Sequence, residues 1–486
     1  MAIRKQIKDI GKNTAVYGLG NLLSKFAAFL LIPLYTRYLS ISDVGIFALL
    51  EMLERLLVTV APLGVLRAIW RYIPATKKAD QSQLVLSGFF GTVLINLGLL
   101  GVLALNYRGI GPFLGLTAED QGLLFLVLLN IFLTLGSQFL KSLWQYDNKA
   151  INFVILSLAQ FIGILALSIV LVGHYHLGLW GLVLAKTIVL GVLSLICTGI
   201  LIRKYWSLPS LATFKILMAY GAPLILLALV APILSMASRA FLRYFVTLEE
   251  IGIYHIGYKF GMLINMFLIV PLQRGWMPMM YRMGIAENTK RIFSDVLFYY
   301  SIIGSCFFLG LSAFIEPVIK FIARPEYLAG AYLVPVVAFA YFISGYRMFF
   351  MAGAALRDKT PRIATAAAIA VGSNLILNYF LIKYFGITGA AWSTLISYLL
   401  LCTAVYLLSR DLTDIDWKFP RVIKVILVTL FAYYSIIMLK EFYPDNAIII
   451  AGLGIIVYVM SLFILRIIGD KEIKSLQSLI RQVRKI

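Results

Sequence analysis

Arg37-Tyr38-Leu39-Ser40-Ile41-Ser42-Asp43-Val44-Gly45-Ile46-Phe47 joins two apolar stretches through a tight charged turn. Arg243-Tyr244-Phe245-Val246-Thr247-Leu248-Glu249-Glu250-Ile251-Gly252-Ile253-Tyr254 repeats the design. Gly45 and Gly252 lie 207 positions apart (252 − 45), and a second pair agrees: Gly178-Leu179-Trp180-Gly181-Leu182 matches Gly386-Ile387-Thr388-Gly389-Ala390 at 208 (386 − 178). Two anchors at nearly one offset mark a duplicated unit of about six membrane spans.

Composition supports that reading. With 61% hydrophobic and 13% charged residues and a mean hydropathy of +0.92, the chain has too little polar surface to cover a soluble globule. In lipid, backbone groups must be satisfied within the spanning element, and apolar runs of about 20 to 30 residues do this as helices, not as barrel strands. The expected fold is an all-α polytopic membrane protein of about fourteen transmembrane helices. It comprises two pseudo-symmetric six-helix bundles, residues 1–208 and 209–411, around a central cavity. An additional helix pair and a basic tail occupy 412–486.

The expected spans run approximately 13–38, 43–69, 84–106, 121–145, 151–173, 177–202, 214–244, 250–275, 291–322, 328–356, 361–383, 386–409, 420–440 and 446–467. Pro317, flanked by Glu316 and Lys320, is a point where the ninth would end early. Most of the 43 Lys and Arg residues fall in the N-terminus, the C-terminus and the even-to-odd connections, so both termini are expected to be cytoplasmic. The net charge of +21 is thereby explained as a topology signal, with no nucleic-acid partner implied. Cys197, Cys306 and Cys402 all lie in apolar runs without paired spacing, which suggests neither a disulfide framework nor a metal site, and no cofactor is expected. Ile473, Leu476, Leu479, Ile480 and Val483 oppose Lys474, Arg481, Arg484 and Lys485, the pattern of a basic amphipathic helix lying on membrane lipid.

Ionisable groups inside spans cost about 2.5 to 3.5 kcal/mol each even on insertion scales, and each one therefore needs a function or a partner. Lys25, Glu51, Glu54, Arg55, Lys186, Arg239, Lys259 and Arg347 are such groups. Lys25 and Arg55 each lie twelve residues from the outer turn, which at 1.5 Å per residue places both about 18 Å deep. Tyr17, Asn21 and Lys25 recur at a spacing of four and share one helical face, either a binding face or a polar seam. Glu51 and Arg55 are spaced for an ion pair within their helix, which would leave Glu54 to titrate. His255 lies one turn from Lys259, where it suits either ion coupling or an interhelical hydrogen bond. Arg239 is expected to snorkel to the outer surface, Arg347 lies deeper with Ser344 one turn before it, and Arg274 is placed at a cytoplasmic mouth. A cavity rich in cations favours an anionic ligand, and pyrophosphate is the candidate that a membrane offers.

Asn13-Thr14, Gly20-Asn21, Pro33-Leu34-Tyr35-Thr36-Arg37-Tyr38-Leu39 and the Asp43-Val44-Gly45 turn resemble the opening of Wzx-type polysaccharide-biosynthesis flippases. Asn374-Leu375-Ile376-Leu377-Asn378 and Gly386-Ile387-Thr388-Gly389-Ala390-Ala391-Trp392 resemble that family's eleventh and twelfth spans. The likeness covers roughly residues 10–410 and places the chain beside the multidrug/oligosaccharidyl-lipid/polysaccharide (MOP) exporter superfamily. It implies transfer of undecaprenyl-pyrophosphate-linked oligosaccharide from the cytoplasmic to the outer leaflet of the inner membrane. Cationic cavity residues are typical of that branch, and Lys25, Arg55 and Lys259 are the positions that take the part here. The last two spans resemble the extra pair of lipid II flippases, but the arginine pattern of those proteins is missing from the first span.

Two other functions compete. A multidrug and toxin extrusion antiporter would need acidic cavity groups for organic cations, and Glu51 and Glu54 are the obvious ones. A membrane enzyme would need an outer loop carrying acid, base or metal ligands, whereas the outer turns here are short, with only His174 and His176 near them. The expectation is a transporter, with H+ or Na+ as the coupling ion through Glu51, Glu54 or His255.

Overall fold

The computed structural model describes residues 29–467 apart from 118, 119, 148, 285, 286, 444, 445 and 466. The chain folds into helices α1 (Ile32–Tyr38), α2 (Ile41–Val60), α3 (Val65–Tyr72), α4 (Lys78–Leu105), α5 (Tyr107–Phe113), α6 (Gln121–Tyr146), α7 (Ala150–Ser168), α8 (Gly178–Lys204) and α9 (Leu211–Phe245). There follow α10 (Leu248–Gly261), α11 (Val270–Met283), α12 (Glu287–Ile322), α13 (Leu333–Gly345), α14 (Arg347–Phe350), α15 (Ala352–Leu356), α16 (Thr360–Ser409), α17 (Phe419–Phe442) and α18 (Ala447–Ile464). No strand occurs among the described residues. Among the described residues, ten helical stretches are long and apolar enough to cross a membrane, as the composition requires of an all-α polytopic protein.

These helices depart from the expected spans at definable points. The span expected over 43–69 breaks at Ala61 to Gly64, because Leu63 and Gly64 take positive φ of 53° and 70° and end α2. The break frees the Ala61 carbonyl, which Asn96 of α4 caps at 2.7 Å. Pro317 does not end the ninth span, since α12 continues through it to Ile322. The eleventh and twelfth spans do separate as expected: α16 comprises two helices divided at Gly386, whose φ of 54° and ψ of −133° are not helical. Gly178, its repeat partner, has φ 53°. Both members of the second sequence anchor therefore occupy the left-handed region that favours glycine. The N-terminal stretch through residue 28 and the basic tail after 467 lie outside the described residues.

The described residues form two compact units. The first is drawn from Met1–Ile256, Ile322–Arg324 and Ala367–Ser397. A bundle of α3, α4, α6, α8 and α9 packs there around Val65, Ile69, Phe89, Phe139, Leu201, Phe214 and Leu217, with Phe89 and Phe139 edge to face at 5.2 Å. Lipid tails are as apolar as these side chains, so close backbone approach and shared hydrogen bonds must hold the helices together. Gly64 meets the Gly221 carbonyl directly, and Gly91 lies against the Phe214 ring. Asn374, Asn378, Ser393 and Ser397 of α16 join Ser238 of α9 in a fully buried amide and hydroxyl chain, with Ser238 donating to Asn378 at 3.0 Å and Asn378 to Asn374 at 3.0 Å.

The second unit is drawn from Gly257–Phe321, Pro325–Ala366 and Tyr398–Ile486. Its interior is aromatic, and the polar ends of the rings are paired. The Tyr258 and Tyr341 hydroxyls meet at 2.8 Å, Tyr346 donates to Ser301 at 2.8 Å and Trp276 donates to the Met348 carbonyl at 3.2 Å. Thr429 of α17 bonds Ser305 of α12 at 2.8 Å, fastening the additional pair to the unit. The three cysteines are free, and Cys197 and Cys402 are buried.

Candidate functional site

A cavity of about 440 Å³ opens within the first unit, between α1, α2, α6, α7 and α8. Four charged residues line it: Glu51 and Glu54 on α2, Lys141 on α6 and Lys186 on α8. Glu51 and Glu54 are three apart, which on a helix turns both towards the same neighbours. Ser40 begins that helix by accepting from the Asp43 amide at 3.0 Å, while the Asp43 carboxylate accepts from the Ser40 amide at 3.2 Å. This capping box sets where α2 starts.

Each carboxylate of the lining faces a nitrogen-bearing side chain. Lys186 donates to Glu54 at 2.6 Å, a charge-assisted bond between side chains that are 32% and 12% exposed. His255, with none of its side chain exposed, places Nε2 3.5 Å from Glu51. Its Nδ1 lies 3.5 Å from the Arg239 guanidinium, which also donates to the Ser235 carbonyl at 3.0 Å. Arg239 is 1% exposed. It does not snorkel, and the Ser235 carbonyl and the His255 ring hold it inside the protein. Phe47 packs edge-on against His255 at 6.1 Å and against Tyr35 at 5.0 Å, closing that side of the cavity.

Of the residues expected at the site, Glu51, Glu54 and His255 come together here. Their partners are His255 and Lys186, in place of the Glu51 and Arg55 pairing that the spacing allows, and Arg55 is exposed. Lys259, Arg274 and Arg347 are partly buried in the second unit. Tyr17, Asn21 and Lys25 lie outside the described residues.

Lys141 was not among the expected residues. It donates to Gln160 of α7 at 2.8 Å. A lysine only five residues from the end of its helix passes for an interfacial one. The signal that could have found it is Gln160, an amide in the middle of an apolar run, where it needs a polar partner. Among the described residues no group of three or more His, Cys, Asp or Glu could hold a metal ion.

Comparison with known proteins agrees with this architecture. The polysaccharide biosynthesis protein family matches residues 10–284. An uncharacterized membrane protein of Methanocaldococcus jannaschii is 24% identical, covering 96% of this chain and 98% of that protein. Among solved structures, the lipid II flippase MurJ in an inward closed conformation superposes with a TM-score of 0.75 at 16% identity, over 93% of this chain and 99% of that one. The MATE transporter VcmN of Vibrio cholerae does so with 0.60 at 16% identity, over 83% and 96%. An inward-facing multidrug resistance MATE transporter of the MOP superfamily gives 0.61 at 14%, over 85% and 98%. With more than half of its length matched, the chain belongs to the polysaccharide biosynthesis protein family.

Proposed function

We propose that the protein is a flippase for cell-surface polysaccharide biosynthesis. It carries undecaprenyl-pyrophosphate-linked oligosaccharide from the cytoplasmic to the outer leaflet of the inner membrane by alternating access. The observation that carries this reading is the partnering of both cavity carboxylates, Glu54 with Lys186 and Glu51 with His255. An organic cation at Glu54 would have to displace Lys186 and leave it without its partner, and Glu51 is already covered by the His255 ring. An anionic head group meets no such obstacle. The membership in a polysaccharide biosynthesis family supports the same cargo.

In this reading the chain is a transporter and not an enzyme, built of lobes 1–208 and 209–411 with the pair and tail of 412–486, and both termini are cytoplasmic. Lys25, Arg55, Lys259, Arg274 and Arg347, with Tyr17 and Asn21, supply the donors that engage pyrophosphate during the cycle. Glu51, Glu54 and His255 couple transport to H+ or Na+. Reconstitution into vesicles tests this: lipid-linked oligosaccharide becomes accessible on the opposite leaflet in the presence of the protein, and Lys259→Ala or Arg55→Ala slows it severalfold. Normal transfer by folded protein carrying both changes would refute the assignment of those cations.

A further inference from the structure

The cavity wall supplied by α7 has a regular composition. Phe153, Ser157, Gln160, Phe161, Ile164 and Ser168 all line it, at spacings of three, four, seven and eight that fall on one helical face. Over 15 residues (168 − 153) this stripe is about 22 Å long. Rings and hydrogen-bonding groups alternate along it, an arrangement suited to a ligand that has both an apolar face and a hydroxylated edge.

The charges in the lining point to the sign of that ligand. Glu54 and Lys186 neutralise each other, and Glu51 faces His255. Lys141 has only the neutral Gln160 carbonyl oxygen, and no carboxylate lies within salt-bridge distance of it among the described residues. The amide nitrogen of Gln160 still has two hydrogens to donate. A volume of about 440 Å³ is far larger than an ion or a few waters need, and matches a sugar ring with its substituents.

We infer that this cavity binds one acidic sugar residue, its carboxylate on Lys141, its hydroxyls on Gln160 and Ser157, and its C–H face against Phe153 and Phe161. The inference rests on the flippase reading and names the class of sugar its cargo contains. The ammonium gives the carboxylate a charge-assisted bond, and the rings and amide exclude a bare anion by offering it nothing further.

The test is equilibrium binding of free glucuronate, glucuronamide and acetate to the purified full-length protein in nanodiscs. Glucuronate is expected to bind at least about tenfold more tightly than either of the others, the factor that a hydrogen bond to a charged group typically supplies. In Lys141→Gln the preference over glucuronamide disappears, and in Lys141→Arg it is kept. Equal binding of glucuronate and glucuronamide, acetate binding as tightly as glucuronate, or no binding of any would overturn the site. Because glucuronamide changes the ligand and not the protein, the outcome does not depend on whether a variant folds. A flippase restricted to neutral glycans would fail this test and still transfer its lipid-linked cargo, so the two readings are separately decided.

Discussion

Gly45 on α2 and Gly252 on α10 face each other at a backbone crossing. A Cβ on Gly45 would press on the Leu248 carbonyl and lie 3.3 Å from the Gly252 nitrogen, while one on Gly252 would press on the Ile41 carbonyl and lie 3.2 Å from the Gly45 nitrogen. Ile41 and Leu248 are separated by 207 positions (248 − 41), as Gly45 and Gly252 are. The contact is therefore reciprocal, each copy of the repeat offering its glycine to the other's first helical turn. The capping boxes repeat as well: Ser40 with Asp43 begins α2, and Thr247 with Glu250 begins α10 at 3.1 and 3.3 Å.

Because neither glycine has room for a methyl group, Gly45→Ala and Gly252→Ala should each destabilise the protein by about 1–3 kcal/mol, the usual range for overpacking. The two changes strain one contact, so the double variant should lose less than their sum. Gly98→Ala, inside α4 and meeting nothing within 4 Å, should cause no loss of stability. Thermal unfolding in detergent measures all four.

The Glu54 and Lys186 pair should behave as a unit. Lys186→Met strands Glu54 and is expected to cost about 3 kcal/mol, and Glu54→Gln a similar amount. Combining them should recover a large part of the loss, giving a coupling energy of about 1–3 kcal/mol in a double-mutant cycle.

Arg243 holds the connection between α4 and α6 by donating to the Phe113 carbonyl at 3.0 Å and the Pro112 carbonyl at 3.2 Å. Arg243→Ala should speed amide exchange in residues 107–116 by about tenfold or more, the equivalent of losing one charged hydrogen bond. Exchange in α6 should stay as it is.

If Glu51 and His255 couple the ion gradient to transport, Glu51→Gln and His255→Gln should keep basal transfer in vesicles and lose its stimulation by an imposed gradient. The groups around them are Arg239 on α9 at 3.5 Å from the ring, Tyr35 on α1 and Lys186 on α8, both in the same lining. Undiminished stimulation in both variants would remove the coupling role.

Much of this fold is legible in the sequence because its determinants are local or periodic. Apolar runs set the helices, and the repeated glycines mark close approaches that only glycine allows. The paired Ser-x-x-Asp and Thr-x-x-Glu caps are equally readable. The site is less legible, because a helix's rotation about its axis is fixed by its neighbours. Spacing offers Glu51 the nearby Arg55, yet its partner His255 arrives on α10, about two hundred residues along the chain. Glu54 finds Lys186 on α8 for the same reason. Arg239, near a helix end, reads as a snorkelling residue until the Ser235 carbonyl and His255 are seen beside it. Lys141 reads as interfacial until Gln160 is placed opposite.

An anionic lipid-linked cargo is tested most directly by thermal stabilisation of the purified protein by undecaprenyl-pyrophosphate-linked sugar against a panel of organic cations. The expected result is stabilisation by the lipid-linked pyrophosphate, reduced in Arg55→Ala and Lys259→Ala, and none by the cations. Stabilisation by organic cations alone, abolished in Glu51→Gln or Glu54→Gln, would contradict it and place the protein with the drug exporters.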